Sequence, residues 1–227
     1  MWKARVFTLY PEIFPGHLGY GLYKRAIDKK KWSLEVVSIR DYAKDKHKTV
    51  DDTPFGGGSG MLMRADVIAE ALDKNVNYKN EAIIYMSPKG KKFDQNFAKK
   101  KLDKNINIIC GRFEGVDQRL LETRNIEEVS IGDFILSGGE VGAMVVIDTI
   151  VRLIPGVLGN LNSLTEETFE RNLLEYPQYT KPHKWEKKVV PDVLLSGDHA
   201  KIKDWRLSQS RDITRRRRKD LWKKYKK

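Results

Sequence analysis

The sequence predicts an α/β fold with a mainly parallel sheet, joined to a small, basic, mostly helical C-terminal domain. Short apolar runs recur along the first two thirds of the chain, each followed by a turn and then a segment with helical spacing. Three of those runs end in glycine-bearing turns: Ser87-Pro88-Lys89-Gly90, Gly111-Arg112-Phe113-Glu114-Gly115 and the stretch Ile131 to Gly139. The charge distribution separates the C-terminal part. From Tyr176 to Lys227 there are 17 Lys and Arg against 6 Asp and Glu, whereas Met1 to Glu175 has 26 against 25.

Taken in order, Lys3 to Leu9 alternates and reads as a strand. Pro11 and Pro15-Gly16 turn the chain into an amphipathic helix over Gly19 to Lys29, and Ser33 to Ile39 is a second strand. A polar segment, Arg40 to Thr53, runs into the glycine-rich Pro54-Phe55-Gly56-Gly57-Gly58-Ser59-Gly60-Met61. Arg64 to Leu72 reads as a helix, Glu81 to Met86 as a strand, Phe93 to Leu102 as a helix and Ile106 to Cys110 as a strand. A short helical segment, Gln118 to Thr123, precedes Glu127 to Gly142. That stretch reads as a short apolar strand, a bend at Gly132-Asp133, a second short strand over Phe134 to Leu136, and then Ser137-Gly138-Gly139. An unusually apolar helix follows, from Glu140 to about Leu153.

Past Pro155-Gly156 the chain is polar from Asn160 to Thr165. Thr165 is placed to cap a short acidic helix that starts near Glu166-Glu167. Tyr176 to Pro182 reads as a linker. The tail offers Val189 to Leu195, a helix from His199 to about Gln209, and the basic run Arg215 to Lys219. Trp205, Trp222 and Tyr225 are interleaved with these cations. Trp205 is expected in a small core and the arginines on phosphates.

The 227 residues, 26.3 kDa, suit one domain with an appendage. With 40% hydrophobic and 33% charged residues the chain can build a core and stay in water. Cys110 is the one cysteine, so no disulfide framework exists and a reducing, cytoplasmic setting is expected. The N-terminal MWKARVFTLY reads as a charged strand, not a signal peptide. The longest apolar run is interrupted by Asp148, Arg152 and Pro155 and reads as a buried helix. A near-neutral body with a strongly basic tail points to a polyanion, RNA or DNA.

Ligands of parallel sheets sit beyond the strands' carboxyl ends, and three glycine turns at such ends point to a small-molecule site. By itself, the Glu127 to Gly142 stretch reads first as a tight packing connection, and the other two strand ends shift that reading to a ligand site. GGGSG lacks the Lys-Ser/Thr of a phosphate loop, and no strand leads into G-x-G-x-x-G. Four His and one Cys exclude a structural zinc cluster, and no metal-ligand set or nucleophile-base pattern stands out. A ligand held by backbone amides and apolar side chains, such as an adenosine, fits better than a triphosphate.

Several motifs together, DDTPFGGGSGMLM, SPKG, CGRFEGVDQR, SIGDFILSGGE, RLIPGVLG and LLSGDHAKIKDWR, resemble the bacterial tRNA (guanine-N1)-methyltransferase family. The resemblance implies a SPOUT-type domain with a deep trefoil knot, which periodicity cannot derive; spacing alone draws an open sheet. It implies S-adenosylmethionine (SAM) bound in a bent shape and a homodimer with each active site at the subunit interface, and it suggests that Mg2+ takes part. It implies methylation of the guanine 3′-adjacent to the anticodon, tRNA position 37. The domains would be residues 1–160 for the knotted methyltransferase, 161–175 for a flexible catalytic segment and linker, and 176–227 for tRNA binding.

By position the family's cofactor site falls on Tyr85, Met86, Ser87, Pro88, Gly111, Glu114, Ser130, Ile131, Gly132, Asp133, Phe134, Ile135, Leu136, Gly138 and Gly139. The family's arginine maps onto Arg152, although Asp148 four residues earlier is also a natural ion-pair partner for it. The general base, an aspartate in the family, maps onto Glu167, with Glu166 as rival. His47 and Asp51 match positions facing the tRNA, and Arg215, Arg216 and Arg217 are expected on its phosphates. Two alternatives remain at this level: a knotted methyltransferase acting on ribosomal RNA, and a non-catalytic RNA-binding protein.

Overall fold

The computed structural model describes residues 1–159 and 172–225. The chain divides into two compact units, Met1–Gly159 and Asn160–Lys227. The first is a three-layer α/β unit. Its strands are β1 (Trp2–Thr8), β2 (Trp32–Ser38), β5 (Glu81–Lys92), β6 (Asn105–Ile109) and β7 (Glu127–Ser130), with the short pair β3 (Asp51–Asp52) and β4 (Leu62–Met63) outside the main sheet. The helices are α1 (Gly21–Asp28), α2 (Ala65–Asn75), α3 (Gln95–Lys100), α4 (Gln118–Thr123) and α5 (Glu140–Leu153). The main sheet is parallel throughout, in the order β2-β1-β6-β5-β7.

Both faces of the sheet are covered, which is why its strands read as nearly continuous apolar runs. Successive residues point to opposite faces. Val6, Ile84 and Ile108 join a core with α3 and α5 residues such as Ala98, Val146, Ile147 and Ile150. Phe7, Ile83 and Ile109 join a second core with Val67, Ile68 and Leu72 of α2 and Leu120 of α4. Helix α5 has the bounds its sequence predicts. Glu140 stands in its first turn and Arg152 in its last, matching the helix dipole, and Ile154 is extended ahead of Pro155.

A polar trio bridges three strands. Arg5 Nη1 donates to Glu81 Oε2 at 3.1 Å and to Asn107 Oδ1 at 2.7 Å, and Asn107 Nδ2 donates to Glu81 Oε2 at 3.1 Å. Burial works to raise the Glu81 carboxyl, but hydrogen bonds from Asn107 and the Asn77 backbone and the Arg5 charge hold it below the ordinary glutamate range. A depressed folded-state pKa stabilises the fold fully above the unfolded value and loses that contribution as pH falls through the folded one. Wild type is therefore expected to lose thermal stability more steeply than Glu81→Gln between about pH 5 and pH 3. Parallel Tm-versus-pH curves for the two proteins would contradict this.

Three expectations change. The strand expected to end at Met86 is assigned onward to Lys92, but its register with β7 shifts between Met86 and Lys91, so residues 87–90 leave the ladder. Phe134 to Leu136 forms no strand. β7 already covers β5, and the three side chains stand 53%, 79% and 40% exposed on a bending segment. The tail helix continues past Gln209 to Arg217, because nothing between them breaks it and Ser210 and Thr214 seat it.

The second unit contains a two-strand pair, β8 (Lys184–Trp185) and β9 (Lys188–Val189), and helices α6 (His199–Arg217) and α7 (Lys219–Tyr225). The Asp198 side chain caps α6, accepting from the N–H groups of Ala200 and Lys201 at 3.1 Å each. Tyr176 to Pro182, expected as a linker, packs on α6: the Tyr179 and Trp205 rings are 6.3 Å apart and Arg206 lies over Tyr176 at 4.8 Å. Trp205 is half-buried, as a small core requires. No helix among the described residues is long and apolar enough to cross a membrane.

Candidate active site

The carboxyl ends of β5, β6 and β7 open into a cleft of about 360 Å³, within the range of small-molecule sites. The three glycine-bearing turns meet there. Tyr85, Met86, Ser87 and Pro88 come from β5, Gly111 and Glu114 from the turn after β6, and Ser130 to Gly132 with Phe134 to Gly139 from the segment after β7. Of the residues that the resemblance assigns to the cofactor, Asp133 alone does not line the cleft. It is exposed on the bend beside it.

Close backbone approach explains the glycines. A Cβ on Gly111 would lie 2.7 Å from the Tyr85 ring and 2.8 Å from its hydroxyl. One on Gly139 would lie 2.7 Å from the Cys110 Cα, where the Gly139 N–H donates to the Gly111 carbonyl at 3.0 Å. At Gly90 a Cβ would overlap the Val129 nitrogen and the Glu128 carbonyl. Phe113 holds φ +55, a conformation costly for a bulky residue, and is half-exposed at the cleft.

Tyr85 forms a wall. Burial first, then the Glu128 carboxylate, raise its phenol, so the hydroxyl stays protonated and neutral. Glu114 is exposed at the cleft edge, its N–H donating to the Met61 carbonyl at 3.0 Å, and a Cβ on Gly60 would crowd its carboxylate. Met63 of β4 donates to the Gly115 carbonyl at 2.9 Å. The pair of strands carrying Asp51 therefore borders the cleft, although Asp51 does not line it. His47 is exposed in the preceding turn, its N–H donating to Asp45 Oδ2 at 3.1 Å.

Arg112 also lines the cleft and was not among the residues expected there. Its place between Gly111 and Glu114 was a signal; its partner, 28 residues away, was not legible. Arg112 Nε donates to Glu140 Oε1 at 3.2 Å, Nη2 stands 2.9 Å from Glu140 Oε2, and Nη1 donates to the Ser137 carbonyl at 3.2 Å. The Oε2 contact is an ion pair out of line for a hydrogen bond.

Arg152 lies away from the cleft. It is twelve residues beyond Glu140 on α5, about 18 Å along a regular helix. Val141, Val145, Asp148 and Arg152 share one stripe of α5, with Val141 56% and Val145 40% exposed. Asp148 Oδ2 stands 3.2 Å from His17 Nε2. The Tyr23 phenol is pushed up to about 12 by burial, then by Asp148; the Arg152 charge opposes the shift. Arg215, Arg216 and Arg217 are exposed in the last turn of α6, where Arg215 also pairs with Asp212 at 3.1 Å. Glu166 and Glu167 lie outside the described residues. No group of three or more His, Cys, Asp or Glu among the described residues could hold a metal ion.

Comparison with known proteins gives a consistent result. The profile of a family described as tRNA (guanine-1)-methyltransferase TrmD matches residues 2–224. The chain is similar to a tRNA (guanine-N(1)-)-methyltransferase of Pelagibacter ubique (strain HTCC1062), 65% identical over 228 residues and 100% of both chains. A protein of the same name from Bartonella tribocorum (strain CIP 105476 / IBS 506) is 55% identical over 99% of this chain and 96% of its own. Another from Wolbachia pipientis wMel is 54% identical over 97% and 95%.

Proposed function

The chain belongs to the tRNA (guanine-1)-methyltransferase family, and from that premise we propose that it methylates N1 of the guanine at tRNA position 37, using SAM bound in the cleft. The observation that carries the cofactor reading is the convergence of three glycine turns on one pocket.

The cleft fits SAM in three respects. Gly111 and Gly139 let the turn after β6 pack directly against the Tyr85 ring and the segment after β7, which brings backbone from separate strand ends to line one pocket. Ile131, Phe134 and Leu136 offer apolar surface to a flat ring. Glu114 and Glu128 put carboxylates beside a ligand whose sulfonium and amino groups are cationic. SAM, when bound, supplies an electrophilic methyl group. Family membership carries the knotted path.

The protein's own task is the proton on guanine N1. A carboxylate must take it, and a cation near O6 must offset the charge that develops on the base. We assign the first role to Glu167, with Glu166 as rival, and the second to Arg152. Because α5 carries Arg152 about 18 Å from the end that meets the cleft, one chain does not bring it to its own cofactor. A homodimer in which each subunit supplies Arg152 to the other's cleft resolves this. The exposed valines on the same stripe of α5 support such an interface.

Transfer to tRNA transcripts with and without guanine at position 37 tests the substrate. Methylation that survives its replacement would overturn the assignment and favour another RNA target, ribosomal RNA included. Glu167→Gln is expected to reduce single-turnover transfer by at least about 100-fold while leaving SAM affinity intact. A near-wild-type rate would move the base to Glu166 or Glu114. Magnesium enters through the family resemblance, and transfer rates in excess EDTA decide its part.

The second unit, with the three exposed arginines of α6, is assigned the grip on tRNA. Truncation after Glu175 is expected to leave a SAM-binding dimer with greatly weakened tRNA affinity. In the full chain that affinity should fall steeply with salt as counterions are released. Undiminished binding by the truncated protein would sink this assignment.

A further inference from the structure

Beyond the groups assigned to touch the methyl donor, we infer that Thr8, Arg112 and Glu140 form a clamp that positions the Ser137–Gly139 wall of the cleft, with Glu140 as its positioning residue. The inference rests on the cleft being the SAM site.

Glu140 is 2% exposed, unusual for a carboxylate at the start of a helix, where solvent is normally available. Its charge is met from two directions. Thr8 at the end of β1 donates to Oε1 at 2.7 Å, and Arg112 from the turn after β6 contacts both oxygens. The guanidinium has little left for a ligand. Nε and Nη2 face Glu140, Nη1 holds the Ser137 carbonyl, and its centre stands 4.5 Å from the Tyr10 ring centroid. Two separate pieces of chain, the end of β1 and the turn after β6, are thereby fixed to the first residue of α5, and Arg112 ties Ser137 to them.

Gly138 fits the same geometry. A Cβ there would lie 2.6 Å from Arg112 Cζ and 2.6 Å from Glu140 Oε2, so the clamp closes only over a glycine. Gly138 has no positive φ, so its requirement comes from these neighbours and not from its own backbone. Cys110 reports the same charge: burial first, and then Glu140, push its thiol well up, while Arg112 opposes.

The test is SAM affinity by calorimetry together with KM for SAM and for tRNA. Wild type is measured first; if it binds no SAM, the function reading fails and the clamp with it. Given binding, Glu140→Gln is expected to weaken SAM by about tenfold, with tRNA affinity unchanged and kcat at saturating SAM largely kept. Thr8→Val, which removes one hydrogen bond, should give a smaller loss of several-fold, and it keeps the question answerable if Glu140→Gln does not fold. Gly138→Ala should weaken SAM by about tenfold in wild type but cost much less in Arg112→Ala, because two of the three atoms it would strike are gone and the Glu140 carboxylate, freed from its ion pair, can move aside. SAM affinity within about twofold of wild type in both Glu140→Gln and Thr8→Val overturns the clamp. So does a Gly138→Ala loss undiminished in Arg112→Ala, since Arg112 would then not be what the methyl group strikes.

Discussion

Gly139→Ala is expected to weaken SAM binding by about 100-fold, some 2.7 kcal/mol, and to lower the stability of the free protein by about 1–3 kcal/mol. Gly139 has φ −78 and ψ −9, an ordinary helical conformation that alanine adopts freely. The cost is therefore wholly tertiary. The new methyl carbon would meet the Cys110 Cα at 2.7 Å, the Gly111 nitrogen at 3.0 Å and the Cys110 carbonyl carbon at 3.2 Å. All three are backbone atoms of a fully buried strand end, so no rotamer can yield. The segments must separate, which strains the Gly139–Gly111 hydrogen bond and widens the cleft between two of its walls. Calorimetry with SAM and a thermal melt of the free protein measure the two losses. Wild-type affinity in Gly139→Ala would mean that the post-β7 segment is not part of the cofactor site.

Arg152→Ala homodimers are expected to lose nearly all methyl transfer, and to regain it on mixing with subunits crippled in the cofactor cleft. In random mixtures half the dimers are hybrids. In each hybrid one intact cleft faces an intact Arg152, so about a quarter of wild-type activity should return. Gly139→Ala serves as the second partner, since its own Arg152 is untouched. The expectation follows from the helix: the rise per residue puts Arg152 about 18 Å from the cleft end of α5. No recovery on mixing, with hybrids verified, would place Arg152 outside the chemistry or in the same subunit's site. In that case its proximity to Tyr23 and Asp148 would be the simpler account of why it is there.

Much of the first unit was legible because its signals are local. The apolar runs Glu81 to Met86 and Ile106 to Cys110 read as strands because burial on both faces leaves no polar alternation. The ends of α5 followed from Glu140, Arg152 and Pro155, which act within one helical turn. The residues that line the cleft lie in ungapped motifs at three strand ends. Where local signals were weak, the reading went astray. Phe134 to Leu136 has a strand's composition but lies on an exposed, bending segment outside the sheet. α6 runs on to Arg217 because of contacts at Ser210 and Thr214 that carry no hydrophobic period.

The sequence by itself determined the fold class, the family and the turns that make the cleft, because turn chemistry, burial patterning and motif spacing are written within a few residues. Only the tertiary structure decided which glycines are obligatory and why. Gly139 and Gly90 are needed by a backbone that passes close in space and far in sequence, and nothing in their own dihedral preferences says so. The same holds for the Arg112–Glu140 pair. A buried charge is tolerable only where the fold brings it a partner, and that partner is fixed by the crossing of segments, not by their composition.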